Sequence, residues 1–142
     1  SGYRNLTARE TLSGASLLLT RGAWQAIGPW PEWCFLYWED AAWCRQAVEA
    51  GQALALSEAS VDHLRGTTTG RHSARTLYYG ARNALLLHRQ IHPRATLERL
   101  LLGFDFLQKR FFRGQWSYLP PIWKGIRDAL RTIPRTGRRD LP

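Results

Sequence analysis

A short polar segment divides the sequence into two parts of different character. Residues 65–71 read Arg-Gly-Thr-Thr-Thr-Gly-Arg, and small polar residues bounded by glycine indicate a loop. Before this loop, short apolar runs alternate with short helical patterns, whereas the pattern after it is helical to the end. The sequence therefore predicts an α/β part over residues 1–72 and a helical, basic C-terminal extension over residues 73–142.

Five elements are predicted before the loop. The apolar run at residues 15–19 fits a buried strand, and residues 21–27 fit a short helix that stops at a Gly-Pro pair. Residues 29–38 are expected to form an aromatic loop, and residues 40–50 a second helix. Two further short strands are predicted at residues 53–56 and 60–63.

Three helices are predicted after the loop. Ser73 can cap the first, which reaches about residue 89, and Pro93 separates it from the second, over about residues 94–112. Pro120-Pro121 introduces the third, which runs toward residue 133. Five residues of the first helix lie near a common stripe: Leu77, Ala81, Ala84, Leu85 and His88.

Two adjacent carboxylates, Glu39 and Asp40, follow an aromatic run that ends at Trp38. Apolar surroundings raise the energetic cost of a carboxylate's charge and so favour proton transfer, which makes either acid a candidate general base. The structural alternative is that one acid caps the following helix, because a carboxylate near a helix N-terminus accepts backbone N–H bonds. The two residues themselves leave both roles open.

An ordered set of short motifs surrounds this carboxylate pair. The motifs are Ser13-Gly14-Ala15, Trp24 to Gly28, Glu32 to Phe35, Leu36 to Asp40, Cys44, Glu49-Ala50-Gly51 and Val61-Asp62-His63. In order and approximate spacing the set resembles the C-terminal half of bacterial family 2 glycosyltransferases of the rhamnosyltransferase-like kind. The resemblance covers about half of the chain, and a further short stretch of similarity follows at residues 78–83.

This resemblance implies the C-terminal part of a GT-A-like fold, the fold of nucleotide-diphospho-sugar transferases. It also implies inverting transfer of a sugar from a nucleotide-sugar donor to a hydroxyl group of a glycan or lipid-linked glycan. In that family the Asp of the Glu-Asp motif deprotonates the acceptor, which assigns the role of base to Asp40, with Glu39 orienting the acceptor or the backbone. A later His helps to hold a divalent metal, Mg²⁺ or Mn²⁺, which assigns that role to His63. Further substrate contacts are expected at Ser13, Gly14, Trp38 and Arg65.

The chain also departs from the family pattern. Pro31, Ala42 and Gln46 stand where the family often has Asp, a second acid and Arg, and these changes concern acceptor preference more than the base. No Asp-x-Asp metal motif occurs in the sequence, although the nucleotide-binding half of such enzymes carries one. The sequence is therefore interpreted as a fragment without this N-terminal half, inactive by itself and not expected to retain the metal. Exposed strand edges and tryptophans such as Trp24 and Trp30 should then favour a homo-oligomer.

Positive charge is concentrated at the C-terminal end. Nine of the twenty Lys and Arg lie from Lys109 onward, against two acids, and aromatic residues are interleaved with them. This mixture suits an interface with anionic lipid headgroups, and hence a peripheral position at the inner face of the cytoplasmic membrane. The alternatives are a solvated basic tail whose aromatic residues pack on the domain, and a noncatalytic interaction module that binds a membrane surface or nucleic acid. Nucleic acid ranks lower because no recognised nucleic-acid-binding motif occurs.

The two cysteines, Cys34 and Cys44, lie ten residues apart and form neither a zinc motif nor a disulfide framework. This spacing indicates reduced thiols and a cytoplasmic protein. Cys44 is expected to be a small buried side chain on the inner face of the helix that begins near Asp40. No run of the sequence approaches the roughly 18 apolar residues of a membrane span.

Overall fold

The structure, a computed structural model, describes residues 3–7, 10–62 and 73–132. The chain separates into two compact units, residues 1–71 and 72–142. The described residues are mostly helical, with a two-stranded antiparallel sheet in the first unit. Mixed helix and sheet content was predicted, and it is confirmed at this level. The predicted loop at residues 65–71 lies outside the described residues.

The first unit places two helices between two short strands. Strand β1 (Tyr3–Asn5) pairs antiparallel with strand β2 (Ala55–Ser57), so that Tyr3 lies opposite Ser57. Helix α1 (Arg21–Ile27) and helix α2 (Glu39–Glu49) lie between them in the chain, separated by a 3₁₀ turn at Glu32–Cys34. Both helices predicted for this part are confirmed, because their start and stop signals are local in the sequence.

The strand predictions were less accurate. Residues 15–19 form no strand, and Leu18 is 96% exposed rather than buried. Residues 60–62 are also irregular, so of these predictions only the one at residues 53–56 overlaps an observed strand. A strand is stabilised by its hydrogen-bonding neighbour. The neighbour of β2 is β1, a short polar segment that carries no strand pattern.

The core of the first unit lies against the C-terminal part of α2. Cys44 and Ala47 of α2 are buried together with Leu54, which directly precedes β2. Half-buried apolar side chains surround them: Leu6, Leu12, Ile27 and Val48. The Leu6 N–H donates to the Leu54 carbonyl oxygen at 2.8 Å and extends the pairing of β1 and β2. Burial of these apolar side chains therefore joins the sheet to α2.

Trp43 anchors the N-terminal half of α2. Its side chain is buried, and its indole Nε1 donates a hydrogen bond to the Gly28 carbonyl oxygen at 3.1 Å. Its ring packs on Trp30 with a centroid distance of 5.3 Å. Gly28 ends α1 with a φ of 89°, a backbone conformation that favours glycine. The end of α1 and the start of α2 are thus joined through one tryptophan.

The described residues of the second unit, 73–132, form three packed α-helices. They are α3 (Ala74–Ile91), α4 (Thr96–Phe111) and α5 (Leu119–Arg131), with a 3₁₀ turn at Trp116–Tyr118 before α5. All three predicted helices are confirmed, as is the cap: the Ser73 hydroxyl accepts from the Thr76 N–H at 3.1 Å. No helix in the described ranges has the length and apolar character needed to cross a bilayer.

Helices α3 and α5 approach each other closely at Gly125. A Cβ atom at this position would lie 2.4 Å from the Tyr78 carbonyl oxygen and 3.2 Å from the Arg82 nitrogen, both on α3. Tyr78 also donates from its hydroxyl to Asp128 Oδ2 at 3.0 Å. The four apolar residues of the predicted stripe of α3 are buried, and the apolar residues buried on α5 are Ile122, Ile126 and Ala129. The missing side chain of Gly125 is therefore what allows the two helix backbones to meet.

Candidate functional site

Two of the predicted site residues are in direct contact. Asp40, in the first turn of α2, accepts a hydrogen bond from the Gly14 N–H through Oδ2 at 3.0 Å, although 26 positions separate them in the sequence. Its other oxygen, Oδ1, accepts from the Ala41 N–H at 2.8 Å. The carboxylate is thus held at the N-terminal end of α2, where the helix dipole favours negative charge.

Gly14 can approach this carboxylate because it has no side chain. A Cβ atom there would lie 3.3 Å from Asp40 Cβ and 3.8 Å from Trp30 Cζ2, which is a tight fit. Ser13, the preceding residue, is exposed, and its Oγ accepts from the Ala15 N–H at 3.4 Å. The turn that carries Ser13 and Gly14 therefore lies beside Asp40.

Three of the four residues before the carboxylate pair have a strained backbone. Phe35, Tyr37 and Trp38 have φ values of 56°, 64° and 70°, in the left-handed region that bulky residues rarely adopt. Each such residue costs roughly 1–3 kcal/mol, and this kind of strain concentrates at functional sites. Trp38 is the residue that directly precedes α2, and its side chain is 40% exposed. The strained segment therefore ends at Glu39 and Asp40.

Buried residues on both sides hold the strained segment in place. Cys34, which ends the 3₁₀ turn, is fully buried, and Pro31 before it is buried as well. Trp43 follows on α2 and is anchored to Gly28 and Trp30 as described above. Packing of these residues supplies the free energy that stabilises an unfavourable backbone.

Glu39 presents a carboxylate oxygen that lacks a partner. Its side chain is half-buried, and within the part of the chain that the structure describes, Oε2 is buried and accepts no hydrogen bond. Leaving such an acceptor unsatisfied is unfavourable. Neither Glu39 nor Asp40 occupies the residue before the helix, since Trp38 does. The helix-capping alternative is therefore correct only in a modified form: Asp40 binds N–H groups but does so from inside the first turn.

Cys44, one turn after Asp40, has a structural role. Its Sγ accepts from the Leu12 N–H at 3.3 Å, and its side chain is buried, as predicted. Burial raises the pKa of the Cys44 thiol, and the negative charge of Asp40 raises this pKa further, whereas the Leu12 hydrogen bond lowers it. The net rise keeps Cys44 a neutral thiol, which makes it a poor nucleophile.

The structure does not describe every predicted site residue. His63 and Arg65 lie outside the described residues. Within the described ranges, no group of three or more His, Cys, Asp or Glu side chains could hold a metal ion. A depression of about 300 Å³ occurs in the first unit, but it contains none of the predicted site residues. It is lined by Leu6, Val48, Gly51, Gln52, Ala53 and Leu54.

The residues that position this site were not predicted from the sequence. Nothing in a run of aromatic residues signals a positive φ, because that conformation is normally marked by Gly or Asn. The pairing of Trp30 with Trp43 was also not predicted. One signal for a buried face was available in the sequence. Trp43 and Ala47 lie four residues apart on one helix, with Cys44 between them.

The Asp40 carboxylate has acceptor positions beyond those that its two N–H partners use. An ionised carboxylate has about four lone-pair positions, and the Gly14 and Ala41 N–H groups occupy two of those on Asp40. The remaining positions can accept a hydrogen bond from a substrate. Comparison of the chain with models of protein families, with curated proteins and with solved structures finds no match.

Proposed function

We propose that this chain carries the acceptor-activating part of an inverting glycosyltransferase with a GT-A-like fold, and that Asp40 is its general base. The donor would be a nucleotide-diphospho-sugar and the acceptor a hydroxyl group of a glycan or lipid-linked glycan. The contact between Gly14 and Asp40 carries the proposal. Two motifs from the glycosyltransferase-like set, distant in sequence, meet at one carboxylate.

The proposed reaction requires one proton acceptor beside the nucleophile. The acceptor oxygen attacks the anomeric carbon of the donor, while the bond from that carbon to the diphosphate oxygen breaks. The leaving diphosphate takes the bonding electron pair, and Asp40 takes the proton from the acceptor hydroxyl. Inversion follows because the attacking oxygen and the leaving group lie on opposite faces of the sugar.

The neighbouring residues fit supporting roles in this reaction. Glu39 would orient the acceptor or the backbone beside Asp40, and its buried Oε2 has no hydrogen-bond partner among the described residues. The exposed part of the Trp38 indole offers an apolar face to a sugar ring. The strained backbone ends at Trp38, directly before Glu39 and Asp40. Ser13 would contribute a hydroxyl group from the turn that holds Gly14.

The described residues alone do not fit a metal centre, so no step of the proposed reaction runs through a metal on them. The divalent metal of the proposal would bind His63, together with acidic residues of a nucleotide-binding half. Those acidic ligands are expected to come from outside this sequence, which has no Asp-x-Asp motif.

Substitution of the base tests the proposal. In the enzyme that joins this chain to a nucleotide-binding half, we expect Asp40→Asn to lower kcat by roughly 10² or more, the usual scale for a positioned base. The amide keeps an acceptor oxygen for the Gly14 N–H but cannot take a proton. Glu49→Gln is the matched control, because Glu49 is an exposed acid at the other end of the same helix, paired with Arg45. Initial rates with a panel of nucleotide sugars and acceptors measure the effect.

A structural role for Asp40 has a different outcome. If Asp40 only fastens the Gly14 turn, Asp40→Asn should leave kcat within a few-fold of the parent while the melting temperature falls. That result would refute the proposed base and would favour the noncatalytic interaction module. Equal losses of activity for Asp40→Asn and Glu49→Gln would also count against it.

The metal assignment gives a second prediction. We expect the 142-residue chain by itself to show no measurable affinity for a nucleoside diphosphate with Mn²⁺, because a single histidine supplies too few ligands for a hard cation. Titration calorimetry with and without Mn²⁺ measures this. Metal-dependent binding that disappears in His63→Ala would show that this chain forms a donor site unaided, contrary to expectation.

A further inference from the structure

Helix α4 has an exposed apolar face in addition to the face that packs in the bundle. Gly103 and Arg99 are buried, whereas four large apolar residues with helical spacing are exposed. They are Leu97, Leu100, Leu101 and Phe104. Residues three, four and seven apart lie on one side of a helix. The outer side of α4 is therefore a continuous apolar stripe.

An aromatic cluster continues this stripe beyond the helix. The ring of Phe111 lies 5.7 Å from that of Phe112 and 4.8 Å from that of Trp116. Phe112 is 82% exposed and Trp116 is 61% exposed. Contiguous exposed apolar groups of this kind mark an interaction site more often than single exposed residues do.

The same unit carries a large excess of positive charge. Residues 73–132 contain eleven Lys and Arg against three Asp and Glu, a formal net charge of +8. Each of the three acids lies close to a basic side chain: Asp105 to Lys109 at 2.6 Å, Asp128 to Arg127 at 3.2 Å, and Glu98 to His88 at 3.4 Å. Lys109, Arg110 and Arg113 directly flank Phe111 and Phe112 in the sequence. The aromatic cluster therefore lies in the most cationic stretch of the described part of this unit.

We propose that the outer side of α4, with the cluster of Phe111, Phe112 and Trp116, docks on the surface of an anionic lipid bilayer. The apolar stripe would enter the boundary between headgroups and acyl chains, and the flanking cations would contact the headgroups. A second copy of this chain does not suit this surface, because residues 73–132 of each copy carry a formal net charge of +8 and the two copies would repel each other. Nucleic acid satisfies the charge but leaves the apolar stripe in water. This inference stands independently of the proposed sugar transfer.

Vesicle binding by the 142-residue chain tests this surface. Co-sedimentation is measured with vesicles of phosphatidylcholine alone and of phosphatidylcholine mixed with phosphatidylglycerol. We expect binding to the anionic vesicles only, with Phe104→Ser and Phe112→Ser each lowering the partition coefficient by about tenfold. Leu18→Ser, which changes an exposed leucine of the first unit, should leave the partition coefficient unchanged.

Charge variants test the electrostatic part. Removing one interfacial cation with Arg113→Gln should lower the partition coefficient about fivefold, while Arg21→Gln on α1 should have no effect. Circular dichroism establishes that each variant keeps its helix content. The proposal is overturned if Phe104→Ser binds as the parent does, if neutral and anionic vesicles bind equally, or if DNA displaces the vesicles. It is also overturned if sedimentation velocity shows dimers that Phe104→Ser disperses.

Discussion

Replacing Trp43 with alanine is expected to lower the free energy of unfolding of the first unit by about 4 kcal/mol, the usual loss for a buried tryptophan. The side chain is only 1% exposed, packs on Trp30 and donates a hydrogen bond to Gly28. Its removal leaves a cavity and an unpaired carbonyl group at the point where α1 and α2 meet. Such a loss is a large share of the stability of a unit of this size. Amide hydrogen exchange, resolved along the chain, measures it.

Trp24→Ala provides the matched control, since Trp24 lies in the same unit but is 44% exposed. We expect a loss of about 1 kcal/mol or less for this variant. Hydrogen exchange in the second unit should remain unchanged in both variants. Equal protection factors for Trp43→Ala and the parent protein would show that Trp43 neither anchors α2 nor holds the strained segment in place.

In the second unit, Gly125→Ala is expected to destabilise the helix bundle by about 3 kcal/mol, at the upper end for overpacking. The added methyl group would lie 2.4 Å from a backbone oxygen of α3, so α3 and α5 must move apart. The backbone cannot rotate away as a flexible side chain could. For a unit of roughly 70 residues, a loss of this size lowers Tm by more than 10 °C. Thermal unfolding followed by circular dichroism measures the shift.

Gly80→Ala is the control for this prediction. Gly80 lies inside α3, and a Cβ atom there would meet no atom within 4 Å. Alanine in a helix interior is favoured over glycine by roughly 0.5–1 kcal/mol, so this variant should be neutral or more stable. If both variants raised Tm, the close approach at Gly125 would be absent from the protein in solution.

The helices could be predicted because their signals are local. Ser73 accepts the Thr76 N–H, and Gly28 ends α1, as the residue types at those positions predicted. The strands could not be predicted as well, because a strand depends on a partner distant in sequence. The apolar run at residues 15–19 has a strand-like composition, yet it finds no neighbouring strand among the described residues.

The candidate site was predictable in its components but not in its arrangement. Glu39 and Asp40 were identified from their position after an aromatic run, and Gly14 from its place in a family-like motif. Their chemistry as an acid pair and a small residue is fixed by residue type. Only the tertiary structure shows that Gly14 donates to Asp40 and that Phe35, Tyr37 and Trp38 adopt positive φ.

The sequence by itself determined the helices to within about two residues at each end, the concentration of positive charge and the identity of the carboxylate pair. Each of these depends on neighbouring residues or on composition. Only the tertiary structure decided which side of α4 is exposed. The residue types of Leu101, which is exposed, and Gly103, which is buried, do not indicate this difference. It also decided where backbones meet, at Gly125 and at Gly14. Close approach depends on the position of a second chain segment, and the neighbouring residues in the sequence do not specify that position.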